Sequence, residues 1–179
     1  DLSPCGNYRY SLRRLWDEKR PGVLWVMLNP STADANADDP TVRRCMGYAR
    51  SWGCGSIEVV NLCAWRATSP LTLFRAGKRG EDLAGPRHHQ VFAEALERHR
   101  GVGDYIIAAW GSNGSHEFVR DHRRWALRNL PLAETYCLST VGTGDPKHPL
   151  YCAGALGPVL YEPSVGLFCQ PDLAGTVAP

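Results

Sequence analysis

The sequence has no apolar stretch near the ~18 residues that cross a bilayer. Its opening residues, DLSPCGNYRY, lack the apolar core of a secretion signal. Neither sign of charge is in excess: 20 Lys and Arg against 18 Asp and Glu leave +2. That excludes a histone-like polycation and leaves a local basic face as the route to a nucleic acid. No CxxC pair occurs. The seven cysteines, Cys5, Cys45, Cys54, Cys63, Cys137, Cys152 and Cys169, are odd in number and scattered. A reduced, cytoplasmic protein is the simplest expectation. The eight-residue P-loop is absent, as are a GxGxxG after a strand and a GxSxG elbow. An NTPase, a dinucleotide enzyme and a serine hydrolase of the elbow type are therefore not indicated. There is no internal repeat and no low-complexity linker.

What is present fits one globular domain over residues 1–179. Hydrophobic residues are 44% and charged residues 21%, near the globular average. A chain of 179 residues buries enough surface to fold without disulfides. The 18 glycines and 13 prolines exceed the usual combined share of ~12%, which implies many loops. They concentrate after residue 152, so the core is expected over about 9–151, with 153–179 as a Gly/Pro-rich extension.

Segments 23–28, 56–62, 104–110 and 134–140 read as strands. The first three are near-continuous apolar runs, as in parallel strands covered on both faces. Helical signals fall between them. Asp39-Pro40 is an N-cap followed by Pro at the first helical position, with Val42, Cys45, Met46, Ala49 and Trp52 at helical spacing. Ser69-Pro70 starts a shorter helix. Pro86 opens one to about Arg100, and Ser115 caps one to about Asn129. Alternating strands and helices predict a three-layer αβα sandwich with a central, mainly parallel four-stranded sheet. An edge strand at 158–162 or 165–168 is an additional option.

In an open α/β sheet, ligands bind beyond the carboxyl ends of the strands. The turn-forming polar clusters of this chain sit there: Asn29 to Asp34, Asn61 with Trp65-Arg66, Gly111 to Gly114, and Gly142 to Leu150. Each has a plain structural alternative. Ser31 or Thr32 can cap a turn, Asp39 is an N-cap before Pro40, and Gly111-Ser112-Asn113-Gly114 is either a phosphate cradle or an ordinary strand-to-helix loop. His148 is either a rim residue with a chemical task or a surface loop histidine. Arg120, Arg124 and Arg128 share one helical face, beside Arg123, His116 and His122. That face is either a phosphate contact or a solvated surface. Trp65, Trp110 and Tyr151 flank rim loops as stacking candidates, with core packing favoured for Trp110. No metal site is expected, because no cysteine or histidine pair has close ligand spacing.

The segments MLNPSTAD, DDPT, VVNLCAWRAT, AAWG and GDPKHPLY, in that order, resemble a bacterial and phage domain of unknown function, family 1643. A more distant resemblance is to the uracil-DNA glycosylase superfamily, whose fold is a parallel four-stranded sheet between helices. Met27-Leu28-Asn29-Pro30 is similar to its first motif. Asn61-Leu62 with Arg66 is similar to the segment after the second strand. Lys147-His148-Pro149-Leu150 is similar to its last motif. Two positions depart from the pattern: Met27 stands where a Gly precedes the first motif, and Leu150 where a Ser follows His-Pro. The paired cysteine motif of the iron–sulfur branches is absent, so no cofactor is expected.

The resemblance implies hydrolysis of the N-glycosidic bond of a damaged or modified base, a pyrimidine by preference, in DNA. Asn29 would position the water through its amide carbonyl, with Asp34 as an alternative activator, and His148 would donate to the leaving base. Asn61, Trp65, Leu28 and Tyr151 would bind the base. Ser31, Thr32, Arg66, Gly111, Ser112, Asn113 and Lys147 would contact phosphate. DNA is the expected partner, to a monomer, with no membrane. The alternatives are a non-catalytic nucleic-acid or nucleotide sensor, a hydrolase of free nucleosides or nucleotides, and a metal-dependent phosphohydrolase using Asp34, Asp38, Asp39 and His148.

Overall fold

The computed structural model describes residues 1–31 and 39–164. Strand β2 (Gly22–Met27) is buried along its whole length. It lies between β3 (Ser56–Asn61) and β4 (Tyr105–Ala108), parallel to both, and β4 pairs in parallel with β5 (Thr135–Cys137). These four strands come from the four apolar runs of the sequence. Strand alternation then sorts their side chains. Val23, Trp25, Met27, Ile57, Val59 and Ile107 pack on helix α1 (Pro40–Ser51). Leu24, Val26, Val60, Ile106 and Ala108 face α2 (Pro70–Lys78), α3 (His88–Arg98) and α4 (Arg120–Asn129). Helices therefore cover both faces of the sheet.

The sheet is six-stranded and mixed, which corrects the four-stranded, mainly parallel expectation. Its order is β1-β3-β2-β4-β5-β6. The two additions are antiparallel edges: β1 (Leu12–Leu15) on β3, and β6 (Val159–Leu160) on β5. The β6 pair falls inside the 158–162 option, whereas 165–168 lies outside the described residues. Strand β1 has no sequence expectation behind it. It is short, half-exposed, and carries two arginines, one of which reaches the buried Glu58 across the ladder at 3.7 Å.

Two helix starts hold as read. The Asp39 carboxylate accepts from the Val42 amide, and Ser69 Oγ from the Thr72 amide. Two others are corrected. Residues 86–87 form a turn, and α3 starts at His88. Ser115 caps nothing: it ends a 3-10 turn (Ser112–Ser115), and its hydroxyl donates to the buried Asp145 carboxylate, a stronger acceptor. The fourth run also leaves the sheet early, at Cys137, because Ser139 to Lys147 fold back as a tight hairpin. There the Lys147 amide donates to Ser139 O, and the Val141 amide to Asp145 O. Among the described residues, no helix is long and apolar enough to cross a membrane.

Candidate functional site

Strand order reverses on either side of β2, and a crevice opens where such strands end. Here it is a cavity of about 410 Å³, a volume that suits a small organic ligand. Met27 and Asn61, paired across β2 and β3, both line it. Leu28, Asn29 and Ser31 line it from the loop after β2, Gly111, Ser112 and Asn113 from the loop after β4, and Lys147, His148 and Tyr151 from the last loop. The convergence of separate loops thus brings together ten of the expected site residues.

Asn61 is 5% exposed, and its side-chain amide makes no hydrogen bond to protein among the described residues. Its backbone is held firmly. His88 Nε2 lies 2.7 Å from the Asn61 carbonyl oxygen, and His88 is itself buried against Phe92 and Trp125. Burial pushes the His88 pKa down to about 4, so the ring is neutral and donates through Nε2.

The Asn29 amide nitrogen donates to the carbonyls of Pro30 and Ala67, at 3.1 and 3.0 Å. Two carbonyl acceptors fix which end of the amide is nitrogen. Its oxygen is left as the acceptor in a cavity-lining residue.

His148 Nδ1 accepts from the Leu150 amide at 3.3 Å, which places the ring proton on Nε2. Burial lowers its pKa, with Asp39 opposing that shift, so the imidazole is a neutral Nε2–H donor. Tyr151 stands beside it, 77% exposed, with ring centroids 5.7 Å apart.

The glycine at the end of β4 is shaped by this loop. Gly111 has φ +75°, and its amide donates to Pro146 O at 2.8 Å. That amide is therefore taken by protein and is not a phosphate donor. A Cβ there would also meet His148 Cβ at 3.5 Å.

Not every expected residue arrives. Trp65 packs edge-on against Tyr8 and outside the cavity wall, and Arg66 Nη1 bonds Gly6 O. The chain after β3 turns toward the N-terminal segment, where Arg9 N bonds Ala64 O and Arg66 N bonds Asn7 O. Thr32, Asp34 and Asp38 lie outside the described residues. Ser31 is present but bonded, its hydroxyl 2.8 Å from the second Asp39 oxygen. Trp110 is 1% exposed and packs in the core, as read, while one edge reaches the cavity. Of the α4 arginines, Arg123 is buried on Asp145, Arg124 pairs with Asp121, and Arg120 and Arg128 are exposed.

Several residues of the wall had no sequence signal of this role, among them three around β1 and its ladder. Arg9, 8% exposed, and Leu12 enter from the segment around β1, and Val59 faces Leu12 across the ladder. Burial lowers the Arg9 pKa, and Asp39 opposes that shift. Among its described residues the cavity wall carries two cations, Arg9 and Lys147, and one carboxylate, Asp39. Among the described residues, no group of three or more His, Cys, Asp or Glu is arranged to hold a metal.

No curated protein and no solved structure matches this chain. A family model described as "Protein of unknown function (DUF1643)" matches residues 9–150. That stretch runs from the cavity's Arg9 to the residue before Tyr151 and spans most of the chain, which therefore belongs to the DUF1643 family.

Proposed function

We propose that the cavity takes a nucleobase and that the protein hydrolyses the N-glycosidic bond of a damaged or modified base in DNA, a pyrimidine by preference. The observation that carries this is Asn61, a largely buried residue whose side-chain amide lines the cavity and makes no protein hydrogen bond among the described residues. Facing the cavity, the amide presents a donor and an acceptor together, which a ligand with both on one edge complements. A pyrimidine edge supplies both.

Further support comes from the chemistry of the neighbours. Asn29, Asn61 and His148, which resemble three glycosylase motifs, line one cavity. In the reaction, water adds through its oxygen to C1′ and the C1′–N bond breaks. The bonding pair leaves on the base, and the water's proton passes to solvent. Negative charge develops on the departing base, where the neutral His148 Nε2–H donates to a carbonyl oxygen. The Asn29 amide oxygen orients the water. Lys147 supplies a cation for a phosphate beside the sugar. An apolar wall of Leu12, Met27, Val42 and Val59 excludes bulk water.

A second reading, a module that binds such a base without cleaving it, also has an observation in its favour. Asp39 is the one carboxylate among the described residues of the wall, and both its oxygens are engaged, by the Val42 amide and Ser31 Oγ.

Base release separates the two. Oligonucleotides carrying uracil, hypoxanthine, mismatched thymine or hypermodified pyrimidines, single- and double-stranded, would be scored for free base and alkali-labile sites. Release that falls about 10²–10³-fold in Asn29→Ala and His148→Ala supports the glycosylase. Retention without release, weakening steeply with salt, supports the binding module. Neither release nor retention overturns both, and free nucleosides become the substrates to test.

A further inference from the structure

The Asp145 carboxylate is fully buried and takes four donors. Arg123 Nη1 and Trp110 Nε1 reach one oxygen, at 2.6 and 3.2 Å. Ser115 Oγ and Thr143 Oγ1 reach the other, at 2.5 and 3.2 Å. Arg123 Nη1 also bonds Ser115 Oγ at 2.6 Å, so the cluster closes on itself. Its members come from the loop after β4, the 3-10 turn, α4 and the 139–147 hairpin.

A buried ion pair of this kind is weak evidence for stability, because desolvation offsets most of its attraction. What it does supply is a unique geometry. The hairpin is short and closed by its own backbone bonds: Val141 N to Asp145 O, Gly144 N to Val141 O, and Lys147 N to Ser139 O. Gly144, at φ +81°, makes the turn. Such a hairpin moves as one piece unless something fastens it. Asp145 fastens it to Trp110 just past β4, to the 3-10 turn and to α4, and the Gly111 amide adds a bond at Pro146 O. Two residues beyond Asp145 the chain presents Lys147, and three beyond it His148, both in the cavity wall.

We propose that Asp145 is a positioning residue: locked by Arg123, Ser115 and Trp110, it sets the hairpin arm that holds His148 and Lys147 over the cavity. Asp145 touches no ligand in this scheme and acts through the arm. The proposal rests on the nucleobase reading for its consequence to catalysis, and on the structure alone for the geometry of His148. A displacement of about 1 Å in a catalytic donor costs about 10²-fold in rate.

The test reads His148 directly. Imidazole ¹⁵N spectra of the whole chain would be recorded for wild type, Asp145→Asn, Ser115→Ala and Glu58→Gln, with the His148 signal assigned by its loss in His148→Gln. Glu58 is the control, since it is another fully buried carboxylate, held by Arg98 at 2.8 Å. Wild type should show Nε2 protonated and Nδ1 bare. Asp145→Asn and Ser115→Ala should move His148 toward the tautomer mixture of a free imidazole. Glu58→Gln should leave it in place, although its melting temperature falls too. Should Asp145→Asn fail to fold, Ser115→Ala, which removes one hydroxyl, decides. An unchanged His148 signal in the folded variants overturns the proposal, as does an equal change in Glu58→Gln. If wild type releases base, kcat should fall about 10²-fold in Asp145→Asn with KM nearly unchanged. If it releases none, the nucleobase chemistry fails while the ¹⁵N signature still judges the arm.

Discussion

His88 Nε2 donates to the carbonyl oxygen of Asn61 across 2.7 Å, inside the core and directly behind the cavity. Burial holds this histidine near pKa 4 instead of 6.5. The folded chain therefore binds fewer protons than the unfolded chain between those values, and stability must rise with pH there. The contribution is complete above pH ~6.5 and is lost as pH falls toward ~4, by about 3 kcal/mol in all. His122 and His148, also held low by burial, add to the same slope. Denaturant unfolding at a series of pH values should show the loss, and His88→Gln should flatten it. A His88→Gln protein with the wild-type slope would assign the loss to other groups.

Asp39 joins two elements with one carboxylate. Oδ1 caps α1 through the Val42 amide and Oδ2 accepts from Ser31, both at 2.8 Å. Asp39→Ala should cost about 1–2 kcal/mol. For a chain of this size that lowers the melting temperature by about 2–4 °C per kcal/mol, readable by calorimetry. Ser31→Ala leaves the cap itself intact and should cost less. Equal losses in the two variants would argue that the Ser31 bond, not the cap, carries the effect.

The described cysteines are free thiols, and their surroundings separate them chemically. Cys5 is exposed, and its bond with Ser3 Oγ at 3.3 Å favours the thiolate. Burial pushes the Cys45 and Cys63 thiols far up, and Cys137 up to about 11. A brief iodoacetamide pulse near neutral pH should label Cys5 first among these four, and Cys45 and Cys63 only on unfolding. Peptide mapping by mass spectrometry gives the order. Early labelling of Cys45 would mean that α1 opens locally.

The central sheet was legible because β2 and β4 are apolar on both faces and β3 is so apart from Ser56, Glu58 and Asn61, and a run such as VLWVM has few other uses. The starts of α1 and α2 were legible because Asp39-Pro40 and Ser69-Pro70 carry their caps locally. Strand β1 was not, since its ladder partner β3 lies some forty residues on and its own LRRL shows no long pattern. The same limit governed the site. Asn29 follows β2, Asn61 ends β3 and His148 lies in the loop region after β5, so all three could be placed at the rim. Arg9 and Leu12 arrive with β1, so nothing local marked them. Trp65 and Arg66 follow a strand too, yet contacts with Tyr8, Asn7 and Gly6 draw them away from the cavity. Ser115 looked like a cap because its competing partner, Asp145, lies thirty residues ahead.

Asn61 offers the sharpest separation of fold from function. Its backbone is fixed by His88 whatever the side chain, and its amide has no protein partner among the described residues. A side chain kept for a ligand is one the fold does not need. Val59 and Met27 border the position, so an apolar group of similar size meets compatible neighbours. Asn61→Leu should therefore keep the fold and gain roughly 0.5–1 kcal/mol, a rise of a few degrees in melting temperature. The same change should sharply weaken base binding, because it removes the donor–acceptor pair that Asn61 offers to a pyrimidine edge. Asn61→Asp should also lose binding, by removing the donor and adding a charge. Calorimetric melting together with base release or retention on the modified oligonucleotides checks both halves. A less stable Asn61→Leu protein would give the amide a structural task, and undiminished binding would remove Asn61 from the recognition edge.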